Sequence, residues 1–295
     1  MDIERFTDII ARFLAVSGKI LPDDIVKKLA ELKAAEHMPL AKSVYDSMSR
    51  NQDLAASLDR PSCQDTGVVN FFVSAGENFP GLGKIAGALR EAVVRATAEA
   101  PLRHNTVAIF DEKNDGTNVG ERAPFVHWDI VPGSDKVKVE TYMAGGGCSL
   151  PGRAITLMPS AGYEGIVQYV FDTMVDWGIN ACPPLLIGIG IAGSVENASI
   201  LSKRALLRPL GSHNPNPRGA EMEGLLEDGL NRLGIGPQGL SGSSSVMGVH
   251  IESAARHPST ISVGINVGCW AHRRGAIVLD KDLSYEILSH KGVRL

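Results

Sequence analysis

The eight residues Leu185–Ala192, LLIGIGIA, sit between a double proline (Pro183-Pro184) and Gly193-Ser194. A bounded apolar run of this length reads as a short buried strand. Its glycines, Gly188 and Gly190, would let another backbone approach closely. Glycines at spacing two are also reminiscent of nucleotide loops. Here they fall inside an apolar strand and not between a strand and a helix, so a dinucleotide site is not indicated. A helix starting at Ser194 or Glu196 and running to about Leu207 should follow, and that strand-then-helix step points to an α/β chain.

Working outward, residues 3–48 read as helices. Asp23 or Asp24 could cap the run through Lys33, where Ile25, Leu29 and Leu32 recur at helical spacing. Residues 81–99 form another amphipathic pattern, stopped by Ala100-Pro101. Strand-like runs are Val68–Val73, Thr106–Phe110, His127–Val131, Val137–Tyr142 and Thr260–Val267; helices are expected at Gly162–Asp176 and Arg218–Leu233. Arg208–Arg218, RPLGSHNPNPR, is a long Pro/Gly-rich connection, expected to be a lid-like loop or a partner surface. The rhythm is not a clean βαβ repeat. The expected class is α/β (mixed α+β): a helical N-terminal lobe, about 1–58, and a body with a mixed sheet, about 59–280, within a single domain 1–295. Residues 281–295 hold no obvious globular unit.

Hydrophobic residues make up 44% of the 295 residues and mean hydropathy is +0.02, a composition with a real core. A net charge of −4 gives no basic footprint, which argues against nucleic-acid binding. No apolar run approaches the roughly 20 residues needed to span a bilayer, and no charged-then-apolar leader opens the chain. A cytoplasmic location without membrane contact is expected.

Four cysteines, 63, 148, 182 and 269, lie far apart, with no C-x-x-C pair. Neither a disulfide framework nor zinc-finger spacing fits. Cys63 precedes a strand in Arg60-Pro-Ser-Cys-Gln-Asp-Thr-Gly67, and Cys182 precedes LLIGIGIA in Asn180-Ala-Cys-Pro-Pro184. Cys269 follows a strand in Asn266-Val-Gly-Cys-Trp-Ala-His-Arg-Arg274. Each sits at a turn beside polar groups, at the strand ends where ligand sites collect in α/β proteins. A small buried hydrophobe is the ordinary role of any one cysteine. Three at such turns suggest a shared site. Structural zinc closes with four ligands, whereas a [4Fe–4S] cluster on three cysteines keeps one iron open as a Lewis acid.

Six separated motifs then bring a family into view: Cys63-Gln-Asp-Thr-Gly67, Ala100-Pro-Leu-Arg-His-Asn105, Asn180-Ala-Cys-Pro-Pro184, Gly236-Pro-Gln-Gly239, His250-Ile-Glu-Ser-Ala-Ala-Arg-His-Pro258 and Gly268-Cys-Trp-Ala-His-Arg-Arg274. Together they resemble the α part of the class I, iron–sulfur hydro-lyases, which include the oxygen-sensitive fumarases and the L(+)-tartrate dehydratases. The stretch Met143–Arg153, MAGGGCSLPGR, resembles the tartrate branch; the fumarases carry a lysine before the glycines and a serine after them.

The resemblance implies cluster ligands at Cys63, Cys182 and Cys269. It implies substrate contact and proton handling at Gln64 and Asp65, a carboxylate clamp at Arg103, and a histidine relay behind the aspartate at His257. Gly145, Gly146 and Gly147 would approach the bound diacid. Cys148 would line the pocket and stay off the cluster, since a fourth ligand would close the open iron. His104, Asn105, His272, Arg273 and Arg274 remain undecided; Arg273-Arg274 could bind a second carboxylate, tune cluster charge or form salt bridges.

The implied reaction is elimination of water from L-(+)-tartrate to give oxaloacetate, with Asp65 as the acid. The family's base lies in a second domain, fused in the fumarases and a separate β subunit in the tartrate dehydratases. With the chain stopping at Leu295, an α2β2 assembly is expected, incomplete without β. Two alternatives stand: a fumarase or mesaconate-type hydratase subunit, and a non-catalytic zinc-binding or regulatory protein using the three thiolates plus a histidine.

Overall fold

Three helices lead the chain: α1 (Ile3–Lys19), α2 (Asp23–Ala35) and α3 (Pro39–Ser57). The computed structural model describes all 295 residues. β1 (Val68–Gly76), α4 (Ile85–Glu99), β2 (Phe125–Val131) and β3 (Val137–Ala144) follow, then the single turn α5 (Gly146–Ser149), β4 (Arg153–Leu157) and α6 (Gly162–Trp177). The remainder is β5 (Leu185–Ala192), α7 (Val195–Leu207), α8 (Pro217–Asn231), β6 (Val246–Ser253), β7 (Ile261–Gly268), β8 (Arg274–Leu279) and β9 (Tyr285–Ile287). Contacts gather these into two units: Met1–Asp23 with Asn51–Gly145 and Arg273–Leu295, and Asp24–Arg50 with Gly146–His272. Both carry mixed sheets, as the α/β reading requires, and no helix is long and apolar enough to cross a membrane.

The first unit has the strand order β2-β1-β3-β8-β9, with only β1 and β2 parallel. Helix α1 begins at Asp2, whose carboxylate accepts the Arg5 N–H at 3.1 Å, and ends with Lys19 in the last turn, where the helix dipole favours a cation. Its Phe6, Ile10, Phe13 and Leu14 form a stripe that packs with α4 (Leu89, Val93) over Phe71, Val73 and Val139. The C-terminal residues belong to the same core. Tyr285, Ile287, Val293 and Leu295 pack against it, and the buried His290 ring meets the Ile20 carbonyl at 3.0 Å. Thr106–Phe110, expected as a strand, is an exposed loop with a lone bridge from Ala108 to Lys113; its β-forming residues have no sheet neighbour, and Phe110 is fully in solvent.

The second unit has the order β4-β7-β5-β6. Helix α7 lies flush on β5 because Gly188 and Gly190 present no side chain. A Cβ at Gly188 would overlap the Ser202 carbonyl oxygen, and one at Gly190 the Ala198 carbonyl oxygen. Gly264 on β7 meets the same Ala198 carbonyl. Backbone cannot yield as a side-chain tip can, so Gly190→Ala should cost toward the upper end of the ~1–3 kcal/mol typical of overpacking. Thermal unfolding of the variant would check it.

The last carbonyls of α7, which have no partner inside the helix, are met by histidines. His250 on β6 reaches the Ala205 carbonyl at 3.1 Å, and His272 the Leu206 carbonyl at 2.9 Å. His272, undecided from sequence, is thus a buried cap on α7.

The connection Arg208–Arg218, expected as a lid-like loop or a partner surface, is anchored by its own hydrogen bonds. Arg208 Nη1 donates to Glu223 at 2.8 Å and to the Ile251 carbonyl at 3.1 Å; Asn214 Nδ2 donates to that same carbonyl at 2.6 Å. The Leu210 N–H donates to Asp24 at 2.6 Å.

Glu36, between α2 and α3, is fully buried. Burial alone would raise its pKa, but amide donors from Met38, Ser243 and His37 and the Ser243 hydroxyl outweigh it and hold the carboxyl below its ordinary value. A depressed carboxyl stabilises the fold above the unfolded pKa, about 4.3, and that stability is lost as pH falls through the folded value. Glu36→Gln should therefore destabilise by ~1–3 kcal/mol at pH 7. Denaturant titrations at pH 7 and in acid should show the difference shrinking as the wild-type carboxyl protonates.

Candidate active site

In the first unit, Cys63 lies on the loop between α3 and β1, half-buried, with its thiol 3.8 Å from Gln64 Oε1. The same loop carries Asp65, whose Oδ1 accepts the Gly67 N–H and Asn105 Nδ2, each at 3.1 Å. Arg273 Nη2 donates to the Asp65 carbonyl at 2.6 Å, and its own carbonyl accepts the Met143 N–H. Arg273 therefore ties the Asp65 loop to the end of β3. Gly145 closes this corner: a Cβ there would lie 3.0 Å from Asp65 Oδ2.

Arg103 is exposed, and its backbone is fixed on both sides. Its N–H donates to Thr66 Oγ1 at 3.0 Å, and its carbonyl accepts Asn118 Nδ2 at 2.9 Å. Asn118, buried at a positive φ of 58°, also accepts the Asn105 N–H at 2.6 Å. One unit thus assembles Asp65, Asn105, Arg103, Gly145 and Arg273 around a hydrogen-bonded frame. Asn118 and Thr66 escape sequence reasoning, because an Asn in a polar loop gives no signal of its own. His104, also exposed, has its carbonyl held by Asn114 Nδ2 at 2.8 Å.

The second unit brings the other three cysteines to one end of its sheet. Cys182 follows the 3-10 turn Gly178–Ala181 at φ 57°, ψ 71° and is exposed; Cys269 directly follows β7 and is buried. Their loops are joined by the Trp270 N–H donating to the Cys182 carbonyl at 3.2 Å. Cys148, buried on α5, packs beside them: α5 meets both the 3-10 turn and β7, and Gly147 lies so close that a Cβ would be 2.9 Å from the Asn180 carbonyl oxygen. Gly146 is exposed beside it. All four cysteines are outside disulfides. No three His, Cys, Asp or Glu side chains are gathered as a metal-holding group.

His257 stands apart from these thiols. It lies between β6 and β7, next to Gly193, beyond the Ala192–Ser262 pair. Cys182 and Cys269 lie beyond the Leu186–Gly268 pair at the other end, about 20 Å along the strand. Its exposed ring accepts the Ser259 N–H at Nδ1 (3.1 Å).

The profile of the family described as fumarate hydratase (Fumerase) matches residues 7–278. The L(+)-tartrate dehydratase subunit alpha of Escherichia coli strain K12 is 56% identical over 288 residues, 98% of this chain and 95% of the relative. That of Escherichia coli O157:H7 is 57% identical over the same span, and that of Shigella sonnei is 56% identical. A match of this extent, on a frame with cysteines at loop ends and a braced aspartate, decides the assignment: the chain belongs to the fumarate hydratase (Fumerase) family.

Proposed function

We propose that this chain is the α subunit of an iron–sulfur hydro-lyase that dehydrates L-(+)-tartrate to oxaloacetate together with a separate β subunit. The observation that carries the reading is the end-to-end match to relatives named as that subunit, with 98% of this chain and 95% of the relative covered. The word subunit in that name supports a partner chain; an α2β2 assembly in the cytoplasm is the form we propose.

The donor chemistry fits a cluster. Cys63, Cys182 and Cys269 are soft thiol donors on loops, two of them held on neighbouring loops by a backbone hydrogen bond, and none is tied up in a disulfide. These three would hold a [4Fe–4S] cluster, with Cys148 beside the pocket as a wall residue. When bound, such a cluster supplies a Lewis-acidic iron that helps hydroxide leave.

The chain's own residues do the rest. Arg103 offers a planar guanidinium for one substrate carboxylate, on a backbone pinned by Thr66 and Asn118. Gln64, exposed next to the first cysteine, can hydrogen-bond a substrate hydroxyl. Gly145 leaves room beside the Asp65 carboxyl, with Gly146 and Gly147 following. Asp65 protonates the departing hydroxyl, held by Asn105, the Gly67 amide and Arg273. Loss of water gives the enol of oxaloacetate, which tautomerises to the keto acid. The base that takes the carbon-bound proton is assigned to the β subunit. His257 faces away from the thiol end of its own sheet, so we give it no contact with the cysteines of its own unit.

Anaerobic reconstitution of α, of β and of the two together, assayed on tartrate, malate and mesaconate, tests the reading. Turnover of tartrate only by the mixture is expected. Robust turnover by α alone would sink the two-subunit claim, and a preference for malate or mesaconate would sink tartrate.

A further inference from the structure

We propose that β2 is the seam through which two copies of this chain join, edge to edge and antiparallel, about a two-fold axis at Trp128. The inference deepens the α2β2 reading by naming its α–α contact. β2 is the outer strand of the first unit's sheet, paired with β1 on one side only. An edge strand presents a row of backbone N–H and C=O groups that can accept another strand. Edges are ordinarily blunted by proline, charged side chains (lysine above all), bulges or shortness. β2 is weakly protected: FVHWDIV is seven residues with no internal proline or lysine, and its one charge is Asp129. Pro124 and Pro132 stand only at its two ends, and its register with β1 runs unbroken from Phe125 to Val131. It also exposes large apolar side chains along its length, with Phe125 at 56%, Trp128 at 40% and Ile130 at 55%.

The occupant follows from the sequence of the strand. Antiparallel pairing of FVHWDIV with a second copy about its middle residue sets Trp128 against Trp128, His127 against Asp129, Val126 against Ile130 and Phe125 against Val131. Every position meets a compatible one: aromatic with aromatic, imidazole with carboxylate, apolar with apolar. A shift of one residue in the pairing, in either direction, would set Asp129 against Val126 or against Trp128 and would part it from His127. The pattern is therefore self-complementary in one register, as an interface across a two-fold axis requires. His127 stacks on Phe72 of β1, ring centroids 4.5 Å apart, which fixes its ring against the sheet.

Sedimentation of the full chain, alone and with its β partner, reads the outcome. Two α copies per particle are expected, and Ile130→Lys combined with Asp129→Lys should halve the α content while leaving the unfolding midpoint unchanged. Trp128→Cys should cross-link to itself under mild oxidation, with the bond mapped by digestion and mass spectrometry, because only position 128 faces its own copy. A charge exchange, His127→Asp with Asp129→His, should restore the pairing that His127→Asp alone removes. If both lysine substitutions leave the paired particle intact, or the thiol introduced by Trp128→Cys bonds to β or to another α cysteine, the seam is wrong while α2β2 stands. If α never pairs, in either sample, both the seam and α2β2 fail.

Discussion

Cys182→Ser is expected to give a folded chain that takes up no stable cluster and leaves tartrate turnover at background after reconstitution with β. Folding should survive because the hydrogen bond that joins this loop to its neighbour is made by the backbone: the Cys182 carbonyl accepts the Trp270 N–H, and serine supplies the same carbonyl. The side chain is exposed, and serine fits its φ of 57° no worse than cysteine does. What changes is the donor. A thiol ionises readily and is a soft ligand for iron, whereas a hydroxyl is harder and far less acidic. Iron and acid-labile sulfide per chain should fall together, with circular dichroism and the unfolding midpoint unchanged. Cys148→Ser is the control on the same sheet end: it should keep iron and sulfide while altering turnover or diacid preference. A Cys182→Ser protein with full sulfide, or a Cys148→Ser protein without it, would show that the thiols have been sorted wrongly.

How much of this is legible beforehand differs from element to element. LLIGIGIA is recognisable because its edges are marked by prolines and glycines, and its glycines are explained only once α7 is seen against Ala198 and Ser202. β8 is hidden because it opens with Arg274, buried at 4% exposure, and a charge in a buried strand runs against the apolar pattern. β6 is masked by its own motif, since His250 breaks an otherwise apolar run; its ring is inside because it meets an α7 carbonyl. Thr106–Phe110 has strand-like residues but no neighbour to pair with. The two-unit division is invisible to composition because each unit is built from separated stretches of chain. At the site, the cysteine loops are legible from local turn residues. The frame around Asp65 is not: Asn105 and Arg273 are 40 and 208 residues away, and only the fold brings them in.

Asp65→Asn is the sharper test of the chemistry, because it removes the proton donor while preserving most of the frame. The carboxamide oxygen can still accept from the Gly67 N–H and Asn105 Nδ2, and the backbone carbonyl at position 65 still holds Arg273. A loop so braced should keep its shape, so cluster content and KM for tartrate should change little. General acid–base catalysis contributes roughly 10²–10⁴-fold, and kcat should fall by that order. The frame then makes a graded series. Asn105→Ala removes one hydrogen bond to the carboxyl and leaves the acid itself, so its loss in kcat should be clearly smaller. Gly145→Ala would push a methyl to within 3.0 Å of Asp65 Oδ2 and should displace the carboxyl, whereas Asp65→Asn keeps the side chain in position and changes only its chemistry. If Asp65→Asn retains near-normal kcat, the acid lies elsewhere, and this loop serves only to carry Cys63.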